Sequence, residues 1–352
     1  MRPLTQNPKS RKPGADPADL LSALAKRVVG QSSSIEAIVP YVQMYNAGLA
    51  PEGRPVGVFL LLGPTGTGKT KTVEALAAAI HGSEKHLLRI DCGEFQMDHE
   101  VAKLIGAPPG YLGHRETTPM LTQQKLNGVT SEKSNLSIVL FDEIEKAAPS
   151  MNRLLLGVLD KAQLKLGDNT TVNFERSLVF LTSNLGARGM TTELRPRFGF
   201  EAVLDPGRRK NVSHKLESIA MTAVKKKFSP EFVNRIDVIN TYQPLDNSAM
   251  SRILDHLLDD FRTHILRRMG PRAFSVELSK GAREFLLRKG TSIEYGAREL
   301  KRTVLRCLIQ PIAALVAKGQ VDPGGVVCVR GRENSEQLQM ECISLIDDDV
   351  AA

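Results

Sequence analysis

Cysteine is scarce and scattered: four residues, Cys92, Cys307, Cys328 and Cys342, in a chain of 352. None forms a C-x-x-C pair and none has a histidine nearby at ligand spacing, which excludes both a zinc ribbon and a disulfide framework. Reduced, mostly buried thiols are the simpler reading. Long apolar runs are missing too, so no segment approaches the about 20 residues that a membrane-spanning helix needs. The amino-terminal stretch MRPLTQNPKSRKPGADPADL has no apolar block after its positive charges and does not read as a secretory signal. These absences point to the cytosol and to no membrane partner. No internal repeat or low-complexity tract is visible. With 41% apolar and 24% charged residues, the composition is that of a globular chain with ample material for one large core or two domains. The net charge of +8 conceals an asymmetry, because residues 333–352 hold six acidic and no basic side chains. The body is therefore strongly basic, which suits solvated lysines and arginines on a large surface, or acidic partners including nucleic acid.

Residues 1–16 read as a flexible lead-in. DPADLLSALAKRVVG then starts a helix at an Asp cap, with Leu20, Leu21 and Leu24 on one face, and a second helix is expected near 32–48. The run VGVFLLL is apolar throughout, as in a strand buried on both faces of a parallel sheet. Similar runs recur at 87–91, 137–143 and 177–184, separated by helical patterns and turn residues. Strands alternating with helices predict a doubly wound α/β domain over 17–244. From Pro244 the pattern changes to a long amphipathic helix, SAMSRILDHLLDDFRTHILRRM, with further helices at about 279–289 and 296–318. A smaller, mainly helical domain is expected over 245–346, ending in a short hairpin-like β element and an acidic tail, 347–352.

The first of the apolar strands runs directly into Gly63-Pro64-Thr65-Gly66-Thr67-Gly68-Lys69-Thr70 and then a helix, the strand-loop-helix setting that a phosphate-binding loop requires. The glycines let backbone amides curl around phosphate, the helix N-terminus adds positive potential, Lys69 reaches the β and γ oxygens of ATP, and Thr70 offers a hydroxyl to Mg²⁺. A second apolar strand ends in Asp142-Glu143. Asp142 would complete the Mg²⁺ shell opposite Thr70, and Glu143 would polarise the water that attacks the γ-phosphate. The next strand ends Thr182-Ser183-Asn184, and neighbouring parallel strands converge at their carboxyl ends, so Asn184 would share the water or phosphate with Glu143. Each element also has a plainer reading, as a glycine-rich turn, an acidic strand end or a turn-capping Asn.

In this order and combination, RVVGQ (27–31), GPTGTGKT (63–70), IGAPPGYLG (105–113), VLFDEIEKAAP (139–149) with TSNLG (182–186), and FSPEFVNRID (228–237) with YGARELKR (295–302) resemble the Clp family of AAA+ ATPases, its second ATPase module in particular. The similarity spans about residues 20–345. It implies a P-loop AAA+ α/β domain with a small helical C-terminal domain, and ATP hydrolysis in a homo-hexameric ring that unfolds or remodels unfolded or tagged protein substrates. By the same resemblance Val28 and Val29 line the adenine pocket, and Arg298 touches the phosphates from the small domain. Arg235 looks like the finger that reaches the neighbouring subunit's γ-phosphate. Tyr111 and Leu112, between Gly110 and Gly113, look like the pore loop that grips a threaded chain. Residues 160–173 occupy the place of a second pore loop.

Two departures stand out: residues 114–122 lack the acidic-Gly-Gly-Leu-Thr pattern usual after the pore loop, and the second pore loop lacks the usual Gly-Arg. Phe198-Gly199-Phe200 falls where some relatives carry a tripeptide that docks a ClpP-like protease, although similar Phe-Gly pairs occur in relatives that bind none. An AAA+ ATPase that remodels nucleic acid, favoured only by the basic body, and a regulatory ATPase that assembles a partner complex without threading remain alternatives. Tyr111 between glycines argues against the first, since strand-tracking loops depend on Lys and Arg contacts to phosphate.

Overall fold

A computed structural model describes residues 17–106, 119–194, 206–292, 295–331 and 337–344. The chain divides into two compact units, one of residues 1–64 and 68–243 and the other of residues 65–67 and 244–352.

The first unit begins with helices α1 (Pro17–Arg27) and α2 (Ser32–Asn46), followed by strand β1 (Gly57–Leu62) and helix α3 (Lys69–His81). Next come β2 (Leu88–Asp91), the short helices α4 (Val101–Ile105) and α5 (Gln123–Gly128), β3 (Ser137–Asp142) and α6 (Pro149–Lys161). A small antiparallel hairpin, β4 (Gln163–Lys165) with β5 (Thr171–Asn173), occupies the segment matched above to a second pore loop. The unit closes with β6 (Ser177–Ser183), α7 (Ala187–Leu194), α8 (Pro206–Lys227), α9 (Pro230–Val233) and β7 (Val238–Thr241).

Five of these strands form one sheet in the order β2-β3-β6-β1-β7, every neighbouring pair parallel. The three inner strands are buried at every residue, which explains why their sequences show no polar alternation. Alternate side chains nonetheless go to opposite faces. Val58, Leu60, Leu62, Val139, Phe141, Val179 and Leu181 pack with α4–α8 on one side. Phe59, Leu61, Ile138, Leu140, Leu178 and Phe180 pack with α1–α3 on the other. Phe59 and Phe180 sit opposite each other in register and stack at 4.9 Å. The expected doubly wound layering is thus present, with one strand that the sequence did not signal, β7. It pairs with β1 at the sheet edge, and its four residues VINT are only half-buried.

The second unit contains α10 (Asn247–Met269), β8 (Ser275–Leu278), α11 (Lys280–Gly290), α12 (Ala297–Val304), α13 (Gln310–Ala317), β9 (Val326–Arg330) and β10 (Gln339–Ile343). Side chains of Asp246 and Ser279 cap α10 and α11 by accepting from the backbone N–H groups of Ala249 and Ala282. The expected hairpin is real as β9–β10, but β8 joins it in parallel to make a three-stranded sheet, so the β element is larger than the sequence suggested. The helix expected over 296–318 is also modified: Leu305–Ile309 form a π turn between α12 and α13. Pro311, one residue beyond Gln310, has no N–H to offer the Cys307 carbonyl, which favours the wider turn at that point. Leu300, Val304, Leu308 and Ile312 all pack into the core of this unit through that irregularity. Of the four thiols, Cys92 alone is buried, whereas Cys307, Cys328 and Cys342 are part-exposed, correcting the expectation of mostly buried cysteines. Among the described residues no helix is long and apolar enough to cross a membrane.

Candidate functional site

The carboxyl ends of β1, β3 and β6 meet at one rim. Beyond β1 the chain turns through Gly63 at φ 138° and Gly68 at φ 105°, conformations that a residue with a β-carbon adopts only under strain. At Gly63 there is no room either, since a β-carbon would lie 2.7 Å from the Tyr242 carbonyl. Gly68 caps α3 and presents Lys69 at the helix start, where Lys69 is buried. Its ammonium donates to the carbonyls of Gly63 (2.7 Å) and Pro64 (2.9 Å) and to Asn184 Oδ1 (3.0 Å).

Asp142, at the end of β3, is also buried. Its Oδ1 accepts from Thr182 Oγ1 in a short contact and lies 3.5 Å from Thr70 Oγ1. Its Oδ2 accepts from Arg89 Nη2 at 2.5 Å. The next residue, Glu143, occupies the left-handed region at φ 57°, ψ 48°, at a cost of about 1–2 kcal/mol for a residue with a side chain. Thr182 holds this turn by accepting the Glu143 backbone N–H at 3.0 Å. Glu143 Oε1 accepts from Asn184 Nδ2 at 3.3 Å, and Oε2 pairs with the Lys146 ammonium. Asn184 donates its own backbone N–H to Glu145 Oε1 at 3.0 Å. Lys69, Asn184 and Glu143 therefore form one hydrogen-bonded chain, with Thr70 and Asp142 alongside. The Glu143 carboxylate raises the Lys146 ammonium above its ordinary value, Glu145 and Asp91 adding to the effect. Burial and the Asp142 charge push the Cys92 thiol up, leaving it an inert neighbour.

Behind the loop a second chain of hydrogen bonds fixes the start of α3. The Tyr242 hydroxyl donates to Thr72 Oγ1 (2.9 Å), and Thr72 donates to the Gly68 carbonyl (3.0 Å). Tyr242 is fully buried, and desolvation pushes its phenol up to about 12, so it stays a donor. Its backbone N–H continues the β1–β7 pairing by donating to Leu62.

Hydroxyl and carboxylate oxygens at Thr70 and Asp142 are hard donors of the kind Mg²⁺ takes when it retains water and phosphate ligands. Among the described residues no group of three or more His, Cys, Asp or Glu is placed to cage a metal, so such an ion would draw most of its ligands from nucleotide and water.

The structure brings Gly63, Pro64, Lys69, Thr70, Asp142, Glu143 and Asn184 together; Gly68 presents Lys69 at the start of α3, and Thr65, Gly66 and Thr67 belong to the second unit. Val28 and Val29 are buried near Gly30, beside a reciprocal pair in which Gln31 Nε2 donates to the Gln243 carbonyl (2.9 Å) and the Gln243 N–H donates to Gln31 Oε1 (3.3 Å). Arg235 pairs with Asp160 at 2.6 Å, both side chains part-exposed. Arg298 belongs to the second unit, exposed in the first turn of α12. Tyr111 and Leu112 lie outside the described residues, as do Phe198, Gly199 and Phe200. Four contributors escaped the sequence reading: Arg89, Lys146, Thr182 and Tyr242. Thr182 and Lys146 stood inside the quoted motifs, next to Ser183-Asn184 and three residues after Glu143, so their signal was proximity alone.

Residues 54–239 match the family model described as AAA domain (Cdc48 subfamily), and residues 245–329 match the C-terminal, D2-small domain, of ClpB protein. The chaperone protein ClpB of Rhizobium meliloti (strain 1021) is 38% identical over 306 residues, covering 87% of this chain and 32% of that protein. The ClpB of Meiothermus ruber is 36% identical over 301 residues, 86% of this chain and 32% of its own length. The chain thus spans about a third of the length of the curated relatives it matches. Among solved structures, the closed state of Hsp104 with ATPγS and FITC casein superposes with a TM-score of 0.76 at 27% identity, covering 93% of this chain and 51% of that one. The extended S. cerevisiae Hsp104:casein complex gives 0.77 at 28%, covering 92% and 52%.

Proposed function

Because the chain belongs to the AAA domain family, Cdc48 subfamily, and carries a small domain of the ClpB D2 type, we propose that it is a Clp-type unfoldase or disaggregase module that hydrolyses ATP and pulls on polypeptide. The observation that carries this reading is the hydrogen-bonded chain Lys69–Asn184–Glu143 beside Thr70 and Asp142. In it, Lys69 and the loop amides bind the β- and γ-phosphates of ATP. Thr70 and Asp142 would hold Mg²⁺, which would supply positive charge against the phosphates. Glu143 takes the proton of the attacking water while Asn184 orients both the carboxylate and the γ-phosphate. Val28 and Val29 receive the adenine, and Arg298 senses the phosphates from the small domain.

Assembly and substrate belong to the same proposal. Arg235 acts in trans within a homo-hexamer, and its pairing with Asp160 supports this: a part-exposed ion pair is worth only about 0–1 kcal/mol and exchanges readily for a phosphate. Unfolded or tagged proteins pass the Tyr111–Leu112 loop. The Hsp104 structures contain casein, which supports a polypeptide substrate over nucleic acid. Docking of a ClpP-like protease would rest on Phe198-Gly199-Phe200 alone, and neither the described residues nor the relatives' names speak for it.

The decisive experiment is steady-state ATP turnover with and without unfolded casein, for the unmodified chain and Tyr111→Ala. Stimulation by casein that disappears in Tyr111→Ala is the expected result. Robust turnover indifferent to both casein and Tyr111 would overturn the threading reading.

A further inference from the structure

We propose that Lys146 is a positioning residue for Glu143: its ammonium holds Oε2, so that Oε1 stays turned toward Asn184 and Lys69. The inference rests on the reading of Glu143 as the base for ATP hydrolysis.

Three features of the backbone make the arrangement specific. Glu143 is left-handed, which directs its side chain away from the course of β3. Ile144–Lys146 then form one 3₁₀ turn, closed by the Lys146 N–H donating to the Glu143 carbonyl at 2.9 Å. Ile144 is fully buried in the core and pins that turn. The turn consequently folds the Lys146 side chain back onto the carboxylate that starts it, and the two meet as an ion pair. The carboxylate is thus gripped at both oxygens, by Asn184 on Oε1 and by Lys146 on Oε2.

The two grips differ in kind. Asn184 is tied to Lys69 and to Glu145, so its position follows the phosphate loop. Lys146 hangs from the same turn as Glu143 and is half-exposed, so it supplies a fixed charge that does not depend on the loop. With Lys146 in place the carboxylate has one preferred orientation; without it, rotation about the last side-chain bond is restrained on one oxygen only. Carboxylate groups misplaced by a fraction of an ångström lose much of their catalytic effect. An exposed ion pair adds little to stability, so a role in the fold does not explain the arrangement.

The test compares Lys146→Met, Lys146→Arg and Glu143→Gln in the full chain. Lys146→Met keeps the apolar stem and removes the charge. It is expected to lower kcat for ATP about tenfold, with affinity for a fluorescent ADP analogue within about twofold and the thermal midpoint within about 1 °C of the unmodified chain. Lys146→Arg, which can still reach Oε2, recovers at least about half of the lost turnover. If Glu143→Gln abolishes turnover while Lys146→Met turns over normally, or loses ADP affinity in parallel with kcat, the role of Lys146 is overturned and the base assignment stands. If Glu143→Gln itself turns over normally, the base assignment falls and the role of Lys146 falls with it.

Discussion

The inner sheet has polar groups at both ends of the same three strands, but the two ends handle them differently. At the carboxyl ends the buried groups include two ions, Lys69 and Asp142, beside the neutral Thr182 and Ser183, and the backbone is strained at Glu143. At the amino ends they are neutral. Ser137 opens β3 by donating its hydroxyl to the Leu126 carbonyl at 3.0 Å, and Ser177 opens β6 in full burial. There α3 delivers His81, whose Nδ1 accepts from Ser131 Oγ (2.9 Å) while Nε2–H donates to the Leu136 carbonyl (3.0 Å). Desolvation, aided by the neighbouring His86, lowers His81 to about 4, so it is held neutral. A polar cavity of about 520 Å³ lies beside these strand starts, among Gln123, Asn127, Asn135, Asn173 and Ser177. One end keeps its buried polar groups neutral, leaving the Ser177 hydroxyl without a hydrogen-bond partner among the described residues; the other concentrates charge and strain where phosphate chemistry needs them.

The largest break in that contrast should come from Glu143→Gln, which keeps the shape but removes the base. Turnover is expected to fall by about 10²–10⁴ with nucleotide affinity retained, read from steady-state hydrolysis and an ADP titration. Lys69→Ala comes next. It removes the cation facing the phosphates and should weaken ATP binding on the order of 100-fold, the measure of charge-assisted hydrogen bonds lost. At the opposite end the effects should appear in stability alone. Ser137→Ala leaves the Leu126 carbonyl short of a donor and should lower unfolding free energy by about 1 kcal/mol, with turnover unchanged, by denaturant titration.

The pH response sharpens the contrast further. His81 titrates lower in the folded chain than in the unfolded one, so the stability it contributes is fully present above about 6.5 and is lost as pH falls toward about 4. The thermal midpoint of the unmodified chain should therefore drop more steeply across that window than that of His81→Gln, by a smaller margin than the substitutions above.

Legibility followed burial and local spacing. The inner strands are apolar at nearly every position and were visible as runs, and the loop that follows β1 has a spacing imposed by phosphate geometry. The edge strand β7 and strand β8 have four residues each, and β4 and β5 have three, too few for a period to show. Arg89 was hidden for another reason: it reaches Asp142 because β2 and β3 pair with Asp91 opposite Asp142, a register that no local pattern encodes. Tyr242 is 170 residues from Thr72, which it supports. Lys146 stood in plain view at three residues from Glu143, but nothing local showed that a 3₁₀ turn starting from left-handed Glu143 would join the two.

The π turn at Leu305–Ile309 has a consequence for how its helix keeps time. Leu300, Val304, Leu308 and Ile312 recur every four residues, and at about 100° per residue such a stripe advances about 40° around an α-helix at each step, walking off the core within a few repeats. The wider turn resets that phase once, midway, and so lets a four-residue rhythm stay on one face for longer than a regular helix would permit. Replacing Pro311 by a residue with an N–H would invite the regular period back and rotate α13 relative to α12, exchanging Ile312 for a neighbour in the core.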